Sequence, residues 1–354
     1  MRHLRRRVPD IEVFGTGGQH LEAQGVQLQA HVRDLAVVGL FEVLRHLRRL
    51  RRVFHGLLQE VDRARPSLAL LVDYAGFNLR LARALKARGV PVVYYVSPQV
   101  WAWRRGRLRT MRETVSHMMV IFPFEEAVYR QAGVPVTFVG HPLVDLVRSA
   151  TDPAAFLTAA GLDPSRPLIA VLPGSRPQEV RHNIGPLAGA VRLLAARRPE
   201  LQFALAVAHG LDPRIFAAAL SGLAVTLTEK THALMSAATL GLVASGTATV
   251  EAALLEMPMV VVYRLSRLTY TLGRPFVRVP HYAMVNLIAG RRVVEELIQT
   301  DFTPEAVAAS ALALLDDPKA RAALRSELAG IRQRLGSSGA SDRAAVLVAE
   351  HLRE

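Results

Sequence analysis

The residues best suited to chemistry stand where short apolar runs end. Asp73 closes the run Leu68–Val72 and precedes Tyr74-Ala75-Gly76. A carboxylate there could take a proton from a hydroxyl, which is general-base work. The same residue could instead cap a helix starting near Phe77. Pro173-Gly174-Ser175-Arg176 follows Leu168–Leu172 and opens a helix. Glycine lets backbone N–H groups approach an anion, a helix start favours negative charge, and the Arg176 fork fits phosphate oxygens. An ordinary turn with a solvated arginine reads the same way. Ser245-Gly246-Thr247-Ala248-Thr249-Val250-Glu251 repeats the theme after Leu240–Ala244. Its small and hydroxyl residues suit a phosphate, and Glu251, one helical turn past Thr247, could accept both hydroxyls of a ribose. The alternative is a capping box with a surface glutamate. Taken together, the two turns suggest a nucleotide diphosphate.

Other segments invite weaker readings. Leu40–Val61 places Leu40, Phe41, Leu44, Leu47, Leu50, Phe54, Leu57 and Leu58 at helical spacing, flanked by Arg45, Arg48, Arg49, Arg51 and Arg52. Such a helix either lies in an anionic membrane interface or packs its apolar face on a core. Trp101 and Trp103, the chain's 2 tryptophans, sit in Ser97–Arg104 beside further arginines. A buried strand-to-helix corner explains them better than base stacking. His141, in Gly140-His141-Pro142, has no second ligand at metal spacing and is expected to be structural or to line a cleft. No zinc, EF-hand or P-loop pattern is present.

These residues need a scaffold of alternating strands and helices. Strands are expected at Ile11–Phe14, Leu68–Val72, Pro91–Val96, Met118–Phe122 and Val136–Val139. After a seam of breaker pairs near Thr151–Pro167 they resume at Leu168–Leu172, Gln202–Ala208, Leu240–Ala244 and Met259–Tyr263. Short strands rich in Val and Ile, separated by helices, mean parallel sheets. The expected fold class is α/β: two Rossmann-like, doubly wound parallel-sheet domains, 1–150 and 165–320. Residues 321–354 follow as C-terminal helices able to pack back on the first domain. Open sheets of this kind bind ligands beyond the carboxyl ends of their strands.

Composition narrows the function. At 354 residues the chain is long enough for two domains, and with 51% hydrophobic and 21% charged residues it is neither disordered nor low-complexity. It has 0 cysteines, which excludes a disulfide scaffold and a cysteine nucleophile. The net charge of +14 draws it to anions such as lipid, phosphorylated metabolites or nucleic acid. Aromatic residues are only 6%, which disfavours a base-stacking nucleic-acid binder. Met1–Arg7 is basic but no apolar run follows, so no signal peptide is expected. Ala233–Val250 is uncharged but broken by Ser245, Gly246, Thr247 and Thr249, so no membrane span is expected.

Several stretches closely resemble the lipid-A-disaccharide synthase family. They are Leu35–Leu44, Val93–Arg104, Phe138–Asp145, Leu172–Arg176, Ala244–Glu251 and Asn286–Arg291, in the family's order and across nearly the whole chain. The resemblance implies a GT-B glycosyltransferase with an active site between its two domains, an acceptor and membrane side in the first and UDP binding in the second. It implies inverting transfer from UDP-2,3-diacylglucosamine to 2,3-diacylglucosamine 1-phosphate, giving a β-1,6-linked disaccharide phosphate and UDP, with no metal and no cofactor. It assigns Asp73 as the base, and places Asn286 near the nucleotide beside Arg176, Ser245, Gly246, Thr247 and Glu251. It favours contact of Leu44, Arg45, Leu47, Arg48 and Arg49 with the anionic face of the inner membrane, on a cytoplasmic, peripheral protein that binds no nucleic acid.

Two departures from the family stand out. The family's opening strand and Gly-Glu-Ala-Ser-Gly-Asp loop have no counterpart here, so a β-α step of roughly 30 residues is expected upstream of Met1. Gly76 stands where the family carries a second aspartate, so the acceptor would be held differently there. The competing readings are a GT-B relative using another UDP-sugar or acceptor, an epimerase among them, and a non-catalytic protein that binds UDP or membranes.

Overall fold

A computed structural model describes residues 1–31, 43–101, 106–149, 152–266, 270–271 and 279–353. Leu40 and Phe41, and the stretch 102–105 of the tryptophan corner, lie outside the described residues, as do the side chains of Leu44 and Arg45. The chain forms two compact units: Met1–Pro142 with Ser338–Glu354, and Leu143–Ser337.

The first unit holds β1 (Phe14–Gly17), β2 (Gln27–His31), β3 (Ala69–Val72), β4 (Val92–Tyr95), β5 (His117–Val120) and β6 (Val136–Phe138). β1 and β2 pair with each other, while β3-β4-β5-β6 make a second, four-stranded sheet. All pairings are parallel. Parallel strands covered on both faces read as continuous apolar runs, and alternate residues feed opposite faces. Val92 and Tyr94 join Leu57, Leu58 and Val61 of the Val43–Ala64 helix and Phe77, Leu81 and Leu85 of the Ala75–Lys86 helix. Val93 and Met119 face the other way, onto Leu4 of the Arg2–Arg7 helix and Ala344, Ala345 and Val348 of the Ala340–His351 helix. The last helix of the chain therefore closes a face of the first unit. Among the described residues β3 has a hydrogen-bonded neighbour on one side only, and its Leu70 and Val72 are 40% and 49% exposed.

The second unit carries one six-stranded sheet in the order β12-β11-β10-β7-β8-β9. The strands are β7 (Leu168–Leu172), β8 (Gln202–Ala206), β9 (Val225–Thr228), β10 (Leu240–Ala244), β11 (Met259–Tyr263) and β12 (Glu295–Ile298). Every pairing is parallel. The chain runs outward from β7 to β9, then returns to start β10 on the other side of β7. The order reverses between β7 and β10, which makes their carboxyl ends the topological switch point where such sheets take ligands.

The structure corrects some expected elements. The strand expected at Ile11–Phe14 begins at Phe14 and runs through Gly17, because pairing with β2 extends the glycine-rich stretch. β2, β9 and β12 were not expected. Asp152-Pro153 starts a short helix, Pro153–Ala159, with Asp152 accepting from the Ala155 amide at 2.9 Å.

The Pro177–Arg197 and Pro304–Asp316 helices pack against each other at Gly189. A Cβ there would meet the Pro304 ring at 2.7 and 2.9 Å. Gly189→Ala gains about 1 kcal/mol of helix propensity, but forcing apart a rigid contact costs about 1–3 kcal/mol. We expect the substitution to lower the denaturation midpoint, measured in urea. A rise would show that the helices separate freely.

Candidate functional site

The two expected phosphate turns leave β7 and β10, neighbours at the switch point. Each turns on a glycine that no other residue replaces without strain, Gly174 at φ +125° and Gly246 at φ +148°. After Gly174 the chain enters the Pro177–Arg197 helix. Glu179, which was not singled out in the sequence, lies over this start. Its carboxylate accepts from the Ser175 and Arg176 amides, each at 3.3 Å, and from the Arg176 guanidinium at 3.0 Å. The Arg176 side chain is 81% exposed.

Gly246 stands at the start of the Thr247–Leu254 helix, and no side chain caps it. The capping-box alternative therefore fails here: neither Ser245 nor Thr247 caps. The Ser245 hydroxyl donates to the Tyr282 carbonyl at 2.9 Å, and Thr247 is exposed. Buried Thr249 donates to the Gly246 carbonyl at 2.8 Å and fixes the turn. Glu251 lies one turn on, with His232 Nε2 at 3.6 Å. The structure thus brings Arg176, Ser245, Gly246, Thr247 and Glu251 to two adjacent strand ends.

Asn286 lies differently. It is 0% exposed, and protein groups use both ends of its amide. Its Nδ2 donates to the Val294 carbonyl at 2.9 Å and to Glu296 at 2.7 Å, and its Oδ1 accepts from the Val293 and Val294 amides at 2.7 and 2.9 Å. Glu296 in turn accepts from the Tyr282 and Ala283 amides at 3.0 and 2.9 Å. Asn286 so ties β12 to the segment whose Tyr282 carbonyl holds Ser245. Asn183, also 0% exposed, joins the β7 and β11 exits: it donates to the Pro173 carbonyl at 2.9 Å and accepts from the Arg264 amide at 3.1 Å.

Asp73 belongs to the first unit, at the carboxyl end of β3. No side chain caps the Ala75–Lys86 helix, so Asp73 is not its N-cap. Its carboxylate is exposed and makes no hydrogen bond among the described residues. Its backbone is held firmly: the Asp73 carbonyl accepts from Asn78 Nδ2 at 2.8 Å and from the Tyr94 hydroxyl. Asp73, Tyr74 and Val96 all have positive φ, at +46°, +43° and +60°. Non-glycine residues held so cost about 1–3 kcal/mol each and gather at functional sites. Gly76 has open space where a side chain would stand.

In the described part of the corner after β4, Ser97, Pro98, Val100 and Trp101 are buried and Gln99 is exposed; Trp103 lies outside the described residues. Trp101 is 8% exposed and its Nε1 donates to Glu125 at 3.1 Å. Glu125 is 1% exposed and also accepts from Ser97 Oγ at 2.5 Å and the Phe122 amide at 3.1 Å. Burial raises its carboxyl to about 7 against the pull of these donors. His141 is buried beside Phe122, and burial lowers it to about 4. Glu125 was missed in the sequence; its place two residues after Pro123, opening a helix after a strand, was the available signal.

In the Val43–Ala64 helix, Leu57, Leu58 and Val61 pack into the core, with Leu50, Val53 and Phe54 against them. Leu47, Arg48 and Arg49 are exposed near its start. Among the described residues, no helix is long and apolar enough to cross a membrane.

A family model described as lipid-A-disaccharide synthetase matches residues 1–348. The chain belongs to the lipid-A-disaccharide synthase family. A relative of that name from Koribacter versatilis (strain Ellin345) is 44% identical over 347 residues, 97% of this chain and 90% of the relative. Another from Myxococcus xanthus (strain DK1622) is 44% identical over 352 residues, 99% and 92% of the two chains. Solved structures share the fold at low identity. UDP-GlcNAc 2-epimerase from Neisseria meningitidis bound to UDP-GlcNAc has a TM-score of 0.63 at 14% identity, covering 97% of this chain and 100% of that one. The calicheamicin glycosyltransferase CalG4 has a TM-score of 0.61 at 13% identity, covering 99% and 93%. The fold is GT-B, and as a member of this family the chain is a glycosyltransferase.

The buried Glu125 and His141 give stability opposed pH dependences. Glu125, raised from 4.5 to about 7, contributes stability that is complete below pH 4.5 and lost as pH rises through about 7. His141, lowered from 6.5 to about 4, contributes stability that is complete above pH 6.5 and lost as pH falls through about 4. The two slopes cancel in the window they share. Between pH 6 and 8 the Glu125 slope dominates, and we expect on the order of 1 kcal/mol of stability to be lost. Glu125→Gln should remove that fall, read from urea midpoints across the range. An unchanged slope in the variant would assign it to another group.

Proposed function

We propose that the chain transfers 2,3-diacylglucosamine from its UDP carrier to 2,3-diacylglucosamine 1-phosphate, giving the β-1,6-linked disaccharide 1-phosphate and UDP in lipid A biosynthesis. The observation that carries this reading is the meeting of the two glycine turns at the β7–β10 switch point in a member of this family. The Asp73 carboxylate takes the proton of the acceptor hydroxyl, whose oxygen attacks the anomeric carbon of the donor. The bond from that carbon to the diphosphate breaks, and its electron pair leaves with UDP. One displacement inverts the anomeric centre. Arg176, released from Glu179, and the uncapped start of the Thr247–Leu254 helix meet the charge developing on the diphosphate. Glu251 accepts the ribose hydroxyls. Asn286 acts indirectly, by holding the loop that anchors Ser245.

Acylated substrates reside in a bilayer. The start of the Val43–Ala64 helix, with Leu44, Arg45, Leu47, Arg48 and Arg49, suits peripheral contact with an anionic cytoplasmic membrane face. The rest of its apolar stripe serves the core.

The test is UDP release from UDP-2,3-diacylglucosamine, with and without the acceptor in detergent micelles. We expect acceptor-dependent release, and a loss of about 10²–10⁴-fold in Asp73→Asn with donor binding retained. Release that needs no acceptor, or that proceeds with non-acylated UDP-N-acetylglucosamine, would move the chain to another reaction. Full activity in Asp73→Asn would remove the base assignment alone.

A further inference from the structure

The carboxyl ends of β4, β5 and β6 meet around a group that the transfer chemistry does not use. Glu125 opens the Pro123–Gln131 helix after β5. Its carboxyl gathers donors from two directions: Ser97 Oγ at 2.5 Å and Trp101 Nε1 at 3.1 Å from the β4 exit, and the Phe122 amide at 3.1 Å from the β5 exit. One turn further along the same helix, the Tyr129 hydroxyl donates to the Pro98 carbonyl at 3.2 Å. The stretch from Ser97 to Trp101 is thus pinned at both ends to one helix. Rings fill the space around the pin. Trp101 meets Phe124 edge-on at 5.0 Å, Phe124 stacks on Phe122 at 5.6 Å, and Phe122 contacts His141 of the β6 exit at 5.1 Å.

This pinned stretch starts beside Asp73. β4 is the hydrogen-bonded neighbour of β3, with Tyr95 opposite Val72 and the Asp73 amide donating to the Tyr95 carbonyl at 3.0 Å. Val96, the link between β4 and the pinned stretch, is in the left-handed region at φ +60°. A strained link keeps its conformation only when both sides are held. On one side it is held by the sheet and on the other by Glu125.

We propose that Glu125 is a positioning residue for the acceptor side of the reaction: by gathering Ser97, Trp101 and the Phe122 amide it holds the β4 exit in register with Asp73. The proposal rests on the reading of Asp73 as the acceptor-side base. The grip depends on protonation, since an ionised carboxylate accepts from all three donors and a protonated one surrenders an acceptor site. Near neutrality the titrating member of this cluster is Glu125. Burial raises Tyr94 on β4 and Tyr129 on the same helix above the usual phenol range, and lowers His141 to about 4.

Trp101 reports on the grip directly. With Trp103→Phe as background, Trp101 is the sole tryptophan. Its emission should change sigmoidally with pH, with a midpoint near 7. Glu125→Gln, nearly isosteric, should abolish that midpoint while the chain stays folded. The same variant should raise KM for the lipid acceptor about tenfold, the loss of one charge-assisted hydrogen bond's worth of positioning, and leave KM for the UDP-sugar within about twofold. Emission that is independent of pH in the parent, or a midpoint that survives in Glu125→Gln, would overturn the pin. Donor and acceptor KM rising together, or neither rising, would overturn the positioning role. If the parent shows no acceptor-dependent UDP release, the acceptor reading falls, and the emission titration alone decides whether Glu125 grips the corner.

Discussion

A chain leaving the carboxyl end of a strand in a parallel sheet gives up its ladder partners, and the buried backbone groups there must find others. That constraint organises this molecule. Asn78, only 8% exposed, donates to the Val72 and Asp73 carbonyls at the end of β3. Asn183 does the same for Pro173 after β7, and its oxygen takes the Arg264 amide after β11. Asn286 does the corresponding work at the entry of β12. An amide is suited to this because it offers donors and an acceptor without a charge. A carboxylate in the same place would lack the donor and carry a buried charge. Glu125 is the exception, and its partners are all donors.

The strand ends differ in how they turn. In the second unit the turns use glycine, at Gly174 and Gly246, which leaves the backbone open to close approach. In the first unit the turn after β3 uses Asp73 and Tyr74, residues that adopt left-handed backbone at a cost. Asparagine and aspartate tolerate that region better than most, but tyrosine does not. The carbonyl of Asp73 is gripped by Asn78 and Tyr94, so its backbone is fixed while its carboxylate is left open. The result is rigid support behind the carboxylate and no hydrogen-bond partner for it among the described residues.

What could be read in the sequence follows the same physics. The central strands β4, β5, β7, β8, β10 and β11 are buried on both faces, so each is a compact apolar run with visible ends. β2, β9 and β12 lie at sheet edges. These edge strands are half solvated, and Gln27–His31 and Glu295–Ile298 carry polar residues, so no apolar run announces them. The glycine turns stood out because they follow central strands, and Asp73 because its strand, though at a sheet edge, is an apolar run. Glu125, Glu179 and Asn183 were not, because their importance lies in which distant amides they meet. Asn286 was visible only as part of a motif, and the motif could not say that its amide is spent inside the protein. The Leu40–Val61 stripe held two meanings at once. Its later half packs, and Leu47, Arg48 and Arg49 stay exposed, a division that helical periodicity does not resolve because both halves share one face.

The fold by itself does not select the chemistry. Epimerase and glycosyltransferase structures superpose on this chain about equally well, at TM-scores of 0.63 and 0.61. What such folds share is backbone geometry: here parallel strands with glycine turns and helix starts at their ends. Backbone geometry survives great divergence in sequence, since many sequences satisfy it. Chemistry needs particular side chains at particular places, which a likeness of fold at 14% and 13% identity does not carry. The strained Asp73 turn and the buried Glu125 carboxyl held by Ser97 and Trp101 are features of this kind, built from side chains that meet particular groups.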